Sequence, residues 1–298
     1  MKSWDSIVVL GATASGKTGL AVALARQLNG EIISADSRQV FKGMDIGTGK
    51  ELESYGEIPV HLVDEVECGE PFSVYDFQKR FYQYYQEIKT RNMMPILAGG
   101  TGLYLDAALS KTRILAVPIN PTFHKLMGAL PLETLQEKLI SIQPDQHNTT
   151  DIKDKNRLIR ALEIAEAKLV SPVEPAPESH PLIFGIRWPR KELAKRIDQR
   201  LKQRLEHGMI QEVRNLLDGG VPAETLEYYG LEYRFLTQFV TGRLRRNDMV
   251  QKLNSAIRQF AKRQETWFRR MEKNGTQIHW LDGYQNPLQH ALKRCGIQ

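Results

Sequence analysis

Only two cysteines occur in 298 residues, Cys68 and Cys295. They lie far apart and lack metal-ligand spacing, so neither a disulfide framework nor a zinc module is indicated. A reduced, cytoplasmic setting is the expectation. The chain has no run of about 18 apolar residues, which excludes a transmembrane helix and leaves no membrane role expected. The first strand-like run opens at Ile7, so no signal peptide is expected. An excess of acid is also missing, since 41 Lys and Arg face 35 Asp and Glu and give a net charge of +6. That balance is compatible with a polyanionic partner. Neither an internal repeat nor a heptad array occurs. What is present is ordinary for a folded chain, with 41% hydrophobic and 26% charged residues, enough for a sizeable core.

Strand and helix patterns alternate from the start. Ile7–Leu10 is a short apolar run ending at Gly11, and Leu20, Ala21, Leu24, Ala25 and Leu28 then follow helical spacing. Ile32–Ala35 reads as a second strand. Met94–Ala98 reads as another, closed by Gly99 and Gly100 and followed by a helix through Leu103, Leu105 and Leu109. Such alternation predicts an α/β fold with a parallel sheet flanked by helices. Residues 112–181 break the rhythm. Leu126, Leu130, Leu135 and Leu139 and then Ile152–Leu169 look helical, and Ser171–Pro177 is proline-rich. The expected organisation is a core of 1–111 and 182–298 with a helical insertion at 112–181. Strand 182–186, helices over 190–218 and 247–273, and a last strand at 278–281 complete the expectation.

Gly11-Ala12-Thr13-Ala14-Ser15-Gly16-Lys17-Thr18 is a phosphate-binding loop in strand–loop–helix context. Its glycines permit the tight turns that aim backbone N–H groups at phosphate oxygens. Lys17 supplies a point charge and Thr18 a hydroxyl for Mg²⁺. The loop signals a polyphosphate without specifying ATP. His61-Leu62-Val63-Asp64-Glu65 has the outline of a metal-organising ATPase strand. Pro59 and His61 argue against a buried strand there and favour a loop or edge segment with solvated acids.

Ligands bind beyond the carboxyl ends of strands in open α/β sheets. Two further strand ends carry polar chemistry. Asp36 closes the second strand, before Ser37, Arg38 and Gln39. Its carboxylate could take a proton from a nucleophile, hold Mg²⁺, or cap a helix. Thr101 follows Gly99 and Gly100, and could donate to a departing phosphate or cap the next helix.

Together these segments resemble the bacterial tRNA dimethylallyltransferase family. The similarity is carried by the glycine loop, Ser34–Val40, Gly43–Lys50, Ala98–Tyr104 and the run Arg258–Arg269. The resemblance implies a P-loop core that transfers a dimethylallyl group from dimethylallyl diphosphate to N6 of adenosine 37 beside a tRNA anticodon. It implies Asp36 as the base, Thr101 on the diphosphate, and Lys17 and Thr18 with Mg²⁺ holding it. Arg214 matches a family arginine near the phosphates. Asp36, Ser37, Arg38, Gln39 and Thr101 would contact the anticodon loop, joined by His124, Asn156, Arg157 and Arg160 of the insertion. A monomer is expected.

The sequence departs from the family at Phe41, which stands for Tyr, and at His124, which stands for Arg. It also departs at Tyr228–Gly230 and at Glu232-Tyr233-Arg234-Phe235, where Gly-Tyr-Lys-Glu is usual. On the late helix, Val250, Leu253, Ile257, Phe260, Ala261, Gln264, Phe268 and Met271 form a helical stripe expected to be core. Trp267 is expected to pack rather than stack on a base. Two other readings compete: a small-molecule kinase using ATP, and a nucleotide-gated RNA-binding module.

Overall fold

The structure, a computed structural model, describes residues 4–144, 153–172 and 174–297. Ile152 and Val173, parts of the expected insertion helix and linker, lie outside them. The chain divides into two compact units, Met1–Leu109 with Glu178–Gln298, and Ser110–Pro177.

The larger unit is built on six parallel strands: β1 (Ser6–Gly11), β2 (Gly30–Ala35), β3 (Val60–His61), β4 (Met94–Gly99), β5 (Pro181–Arg187) and β6 (His279–Asp282). Their order is β3-β2-β4-β1-β5-β6. From β1 the chain crosses to β2 on one side, and from β4 it crosses to β5 on the other. The sheet therefore has a switch point between β1 and β4, where a ligand crevice opens at the carboxyl edge. β1 and β2 are buried along their whole length. That matches their near-continuous apolar runs, as expected of strands covered on both faces.

Helix α1 (Lys17–Leu28) and the final helix pack one face of the sheet through Leu20, Ala21, Leu24 and Ala291. α2 (Val74–Thr90) starts at a capping box between Ser73 and Asp76. Its Phe77 ring stacks on Tyr104 of α3 (Gly102–Ala108), with centroids 3.9 Å apart. In the smaller unit, α4 (Pro121–Gly128), α5 (Leu132–Ile142) and α6 (Lys155–Val170) enclose a core of Leu135, Leu139, Leu158, Ile159 and Leu162.

The expected single helix over 190–218 is two, α7 (Arg190–Glu206) and α8 (Met209–Asp218). Gly208 between them has φ 98°, a left-handed conformation that ends a helix at little cost only when glycine adopts it. α9 (Ala223–Tyr228), α10 (Leu231–Val240) and the long α11 (Arg246–Lys273) follow, with α12 (Pro287–Arg294) after β6. α7 to α11 bury a second core that includes Leu201, Val213, Leu236, Leu253 and Ile257. Each fully buried aliphatic side chain of this kind contributes roughly 1.5–3 kcal/mol. Among the described residues, no helix is long and apolar enough to cross a membrane.

Candidate active site

A cavity of about 450 Å³ opens at the switch point. Thr13, Lys17 and Thr18 of the glycine loop line it, as do Asp36 to Gln39 and Ala98 to Leu103. Strand register explains the convergence. Ala35 and Leu10 are both level with Gly99, so three strands end side by side. A Cβ on Gly99 would stand 2.3 Å from the Ala35 carbonyl oxygen, so only glycine lets these strands approach.

Hydrogen bonds narrow the alternatives at Asp36 and Thr101. The Thr101 side chain does not cap α3. Its Oγ1 accepts the Ser37 N–H at 3.1 Å, which leaves the hydroxyl proton for another acceptor. Asp36 Oδ1 accepts the Arg38 N–H at 3.0 Å, two residues on, in a turn rather than at a helix start. The carboxylate is thereby fixed while half-buried at the cavity.

Within the glycine loop, the residues behave differently from one another. Gly11 ends β1, and Ala12 packs into the helical core. The Thr13 N–H, expected to face phosphate, is taken by Gln264 Oε1 at 2.8 Å. Arg196 Nε donates to the Ala14 carbonyl and the Trp188 indole to the Ser15 carbonyl, each at 2.8 Å. Gly16 precedes α1, whose N-terminus attracts anions. Burial, reinforced by the Arg200 guanidinium, pushes the Lys17 ammonium down to about 8. A bound anion would restore its charge.

The opposite wall comes from helices. Arg200 and Arg204, one turn apart on α7, line the cavity with Tyr229–Tyr233, Phe260, Arg263, Gln264 and Trp267. Arg204 Nη2 is buried without a hydrogen-bond partner among the described residues. Burial first, then Arg200, pulls Arg204 down to about 10. Both effects describe a cationic site that an anion would relieve. Glu232, in the position of the family glycine, is an acid inside this site, and burial raises its pKa against the pull of Arg204. Arg214 is exposed on α8 and is not part of the cavity lining.

Its neighbour Glu212 has a defined task. Glu212 Oε2 accepts the N–H groups of Asp45 and Ile46 at 2.9 and 2.6 Å. Oε1 accepts the Gly47 N–H at 2.9 Å and the Tyr233 hydroxyl at 2.6 Å. Lys50, fully buried, bonds the Phe41 carbonyl at 2.7 Å and pairs with Asp45 and Asp64. The Gly43–Lys50 segment is thus clamped at both ends and presents Gly47, Thr48 and Gly49 to the cavity.

Several expectations need correction. Gln264 is buried, but it is not passive core. It braces the glycine loop at Thr13 and, through Nε2, the Gly100 carbonyl at 2.8 Å. Phe260 of the same stripe is 37% exposed at the cavity. Asp64 and Glu65 are not unpaired acids. Asp64 pairs with Lys50, and Glu65 accepts Tyr84 Oη at 2.7 Å and pairs with Arg80. His61 does lie on an edge strand, bonded to Glu31 at 2.6 Å. Trp267 packs on Gly102, its indole N–H bonded to Asp106 at 2.9 Å, and its ring also borders the cavity. Gln39 lines the cavity, but its amide bonds Ser34 and the Gly49 carbonyl.

In the smaller unit, His124 Nε2 lies 3.1 Å from Glu163, and Arg160 pairs with Glu163 and bonds the Val117 carbonyl at 2.6 Å. Arg160, expected to contact RNA, is thus engaged within its own unit while its side chain stays 35% exposed. Asn156 and Arg157 are exposed at the start of α6.

The model of the family described as IPP transferase matches residues 39–271, and that of isopentenyl transferase matches residues 5–57. The chain belongs to the IPP transferase family. Among curated IPP transferase relatives, tRNA dimethylallyltransferase 2 of Syntrophotalea carbinolica is 57% identical over 96% of this chain and 97% of its own length. The protein of the same description from Trichlorobacter lovleyi is 55% identical over 98% and 96%. The crystal structure of the tRNA isopentenylpyrophosphate transferase of Bacillus halodurans has a TM-score of 0.72 and 32% identity, covering 98% of this chain and 96% of that one. A eukaryotic dimethylallyltransferase acting on tRNA, at 23% identity and a TM-score of 0.80, covers 96% of this chain and 77% of that one and shares the fold.

Proposed function

We propose that the protein transfers the dimethylallyl group of dimethylallyl diphosphate to N6 of adenosine 37 in the anticodon loop of tRNA, releasing diphosphate. One observation carries this reading: Asp36 and Thr101 meet the glycine loop in a single cavity, with no acceptor for the Thr101 hydroxyl proton among the described residues. Curated relatives described as tRNA dimethylallyltransferases support it.

An allylic carbon–oxygen bond breaks readily because the cation is delocalised, so the site's main task is to stabilise the departing diphosphate. Lys17, Arg200 and Arg204 supply positive charge, and Thr101 donates to the oxygen that leaves C1. The N6 nitrogen bonds C1 as the C1–oxygen pair departs with diphosphate. Asp36 accepts the proton that N6 loses. The adenine must leave the base stack to reach the cavity. Asn156 and Arg157 of the insertion unit are proposed contacts to the RNA backbone.

Thr18 is a hydroxyl oxygen donor on the cavity and suits Mg²⁺, which keeps several waters and binds substrate phosphates. No group of three or more His, Cys, Asp or Glu that could hold a metal occurs among the described residues, so diphosphate oxygens and water would complete the shell. Bound there, the ion would neutralise diphosphate charge. The kinase reading is weakened because Asp64 and Glu65 are held in ion pairs away from the cavity.

Incubation with Mg²⁺, dimethylallyl diphosphate labelled in its prenyl group, and unmodified tRNA should move label into RNA. Phosphoryl transfer from ATP without RNA, or RNA binding with no covalent change, would replace this reading.

A further inference from the structure

We infer that Tyr228 is a stacking ledge that holds a nucleobase adjoining the extruded adenosine, and so positions the tRNA for the reaction. The inference rests on the proposed tRNA chemistry and adds a residue to it.

Tyr228 is the last residue of α9, and the next five residues, Tyr229 to Tyr233, line the cavity. The two tyrosines diverge. Tyr229 turns inward, and its hydroxyl accepts the Gly69 N–H at 2.8 Å. Tyr228 turns outward and is 73% exposed, the most of any large hydrophobic side chain among the described residues of the larger unit. Two others with high exposure, Leu103 and Phe260, line the cavity itself. Leu52 and Tyr284 are exposed elsewhere on the unit, but only at this rim do exposed rings and an exposed Leu lie together beside guanidinium groups among the described residues.

Cationic chemistry accompanies that surface. The Arg38 guanidinium, also in the cavity lining, lies 6.0 Å from the Tyr228 ring centre and 5.9 Å from that of Tyr229. The Arg263 guanidinium lies 5.8 Å from the Phe260 ring centre. An exposed ring next to a guanidinium, at the mouth of an anion site, has the chemistry of single-stranded RNA recognition. Extruding one nucleotide removes the stacking partner of its neighbours. A solvent-facing ring at the rim can replace that partner, whereas a buried ring such as Tyr229 cannot.

The test uses anticodon stem-loops with the base intact or abasic at position 36 or 38, and measures kcat/KM for RNA together with KM for the donor. On the intact loop, Tyr228→Ala and Tyr228→Leu should lower kcat/KM for RNA about 5- to 150-fold, the range of one base–aromatic stack. Tyr228→Phe should stay within about twofold, and donor KM should not move. On the loop lacking the stacked base, wild type and Tyr228→Ala should converge. Equal losses on intact and abasic loops, a loss in Tyr228→Phe equal to that in Tyr228→Ala, or no loss in Tyr228→Ala would each overturn the ledge. If wild type transfers no label, the proposed reaction fails. Affinity of the same loops for the same variants, read by fluorescence of 2-aminopurine at 36 or 38, then decides the ledge separately: ring-dependent quenching supports it, and its absence overturns it.

Discussion

The two walls of the cavity are built in different ways. On the sheet side, the glycine loop, Ala35–Arg38 and Gly99–Thr101 are fixed by strand register and by backbone hydrogen bonds to Asp36 and Thr101. On the helical side, Arg200, Arg204, Glu232 and Gln264 arrive from α7, α10 and α11 as single side chains. The first wall is set by the parallel sheet, which brings contiguous strand-end motifs together, with the glycine loop braced from outside by Trp188, Arg196 and Gln264. The second is made of single side chains that meet only once the helices have packed. The sheet wall should therefore hold the bond-making groups, and the helical wall should supply charge and bracing.

The largest effect should come from the sheet wall. Asp36→Asn keeps the shape and removes the base, so kcat should fall about 10²- to 10⁴-fold with donor KM nearly unchanged. Arg204→Gln on the helical wall should cost about 10²- to 10³-fold, by analogy with removal of one donor to a departing anion. An Arg204→Gln enzyme within threefold of wild type would reduce that wall to scaffolding.

A pH series sharpens the contrast. Lys17 is held down to about 8 by burial and by Arg200. Below that pH its ammonium is charged; above it, charge is lost, and binding inorganic diphosphate must take a proton back up. Diphosphate affinity measured calorimetrically should thus fall above about pH 8, by at most about tenfold per pH unit, and Lys17→Met should flatten the profile. The same shift sets the sign for stability. The unfolded lysine keeps its proton up to about 10.5, so between about 8 and 10.5 the unfolded chain binds more protons, and Lys17's contribution to stability rises with pH.

The last effect concerns bracing and falls on fold stability rather than on rate. Gln264→Leu strands the Thr13 N–H and the Gly100 carbonyl. It should destabilise the fold by about 1–3 kcal/mol for each buried group left unpaired, read by urea denaturation.

The same contrast explains what could be read in the sequence. The glycine loop, Asp36 and Thr101 were legible because contiguous motifs at strand ends become neighbours once the sheet is parallel. Gln264 was misread because helical spacing reports which face is buried and not what a buried polar group bonds. Arg200 and Arg204 carried a faint signal, two arginines four apart on a predicted helix, but nothing local says that this face meets the glycine loop. Glu232 was visible only as a departure from the family pattern. The Ser73–Asp76 capping box is the local sequence signal that marks the start of α2. The division of helix 190–218 was signalled by Gly208.

The most direct test of the account is the structure of the enzyme with a non-ionising dimethylallyl diphosphate analogue and an anticodon stem-loop. The account predicts diphosphate against Lys17 and Thr18, the Thr101 hydroxyl on its leaving oxygen, and Asp36 within about 2.6–3.2 Å of adenine N6. A nucleotide triphosphate preferred in that cradle, or an adenine seated with Asp36 and Thr101 turned away, would contradict it.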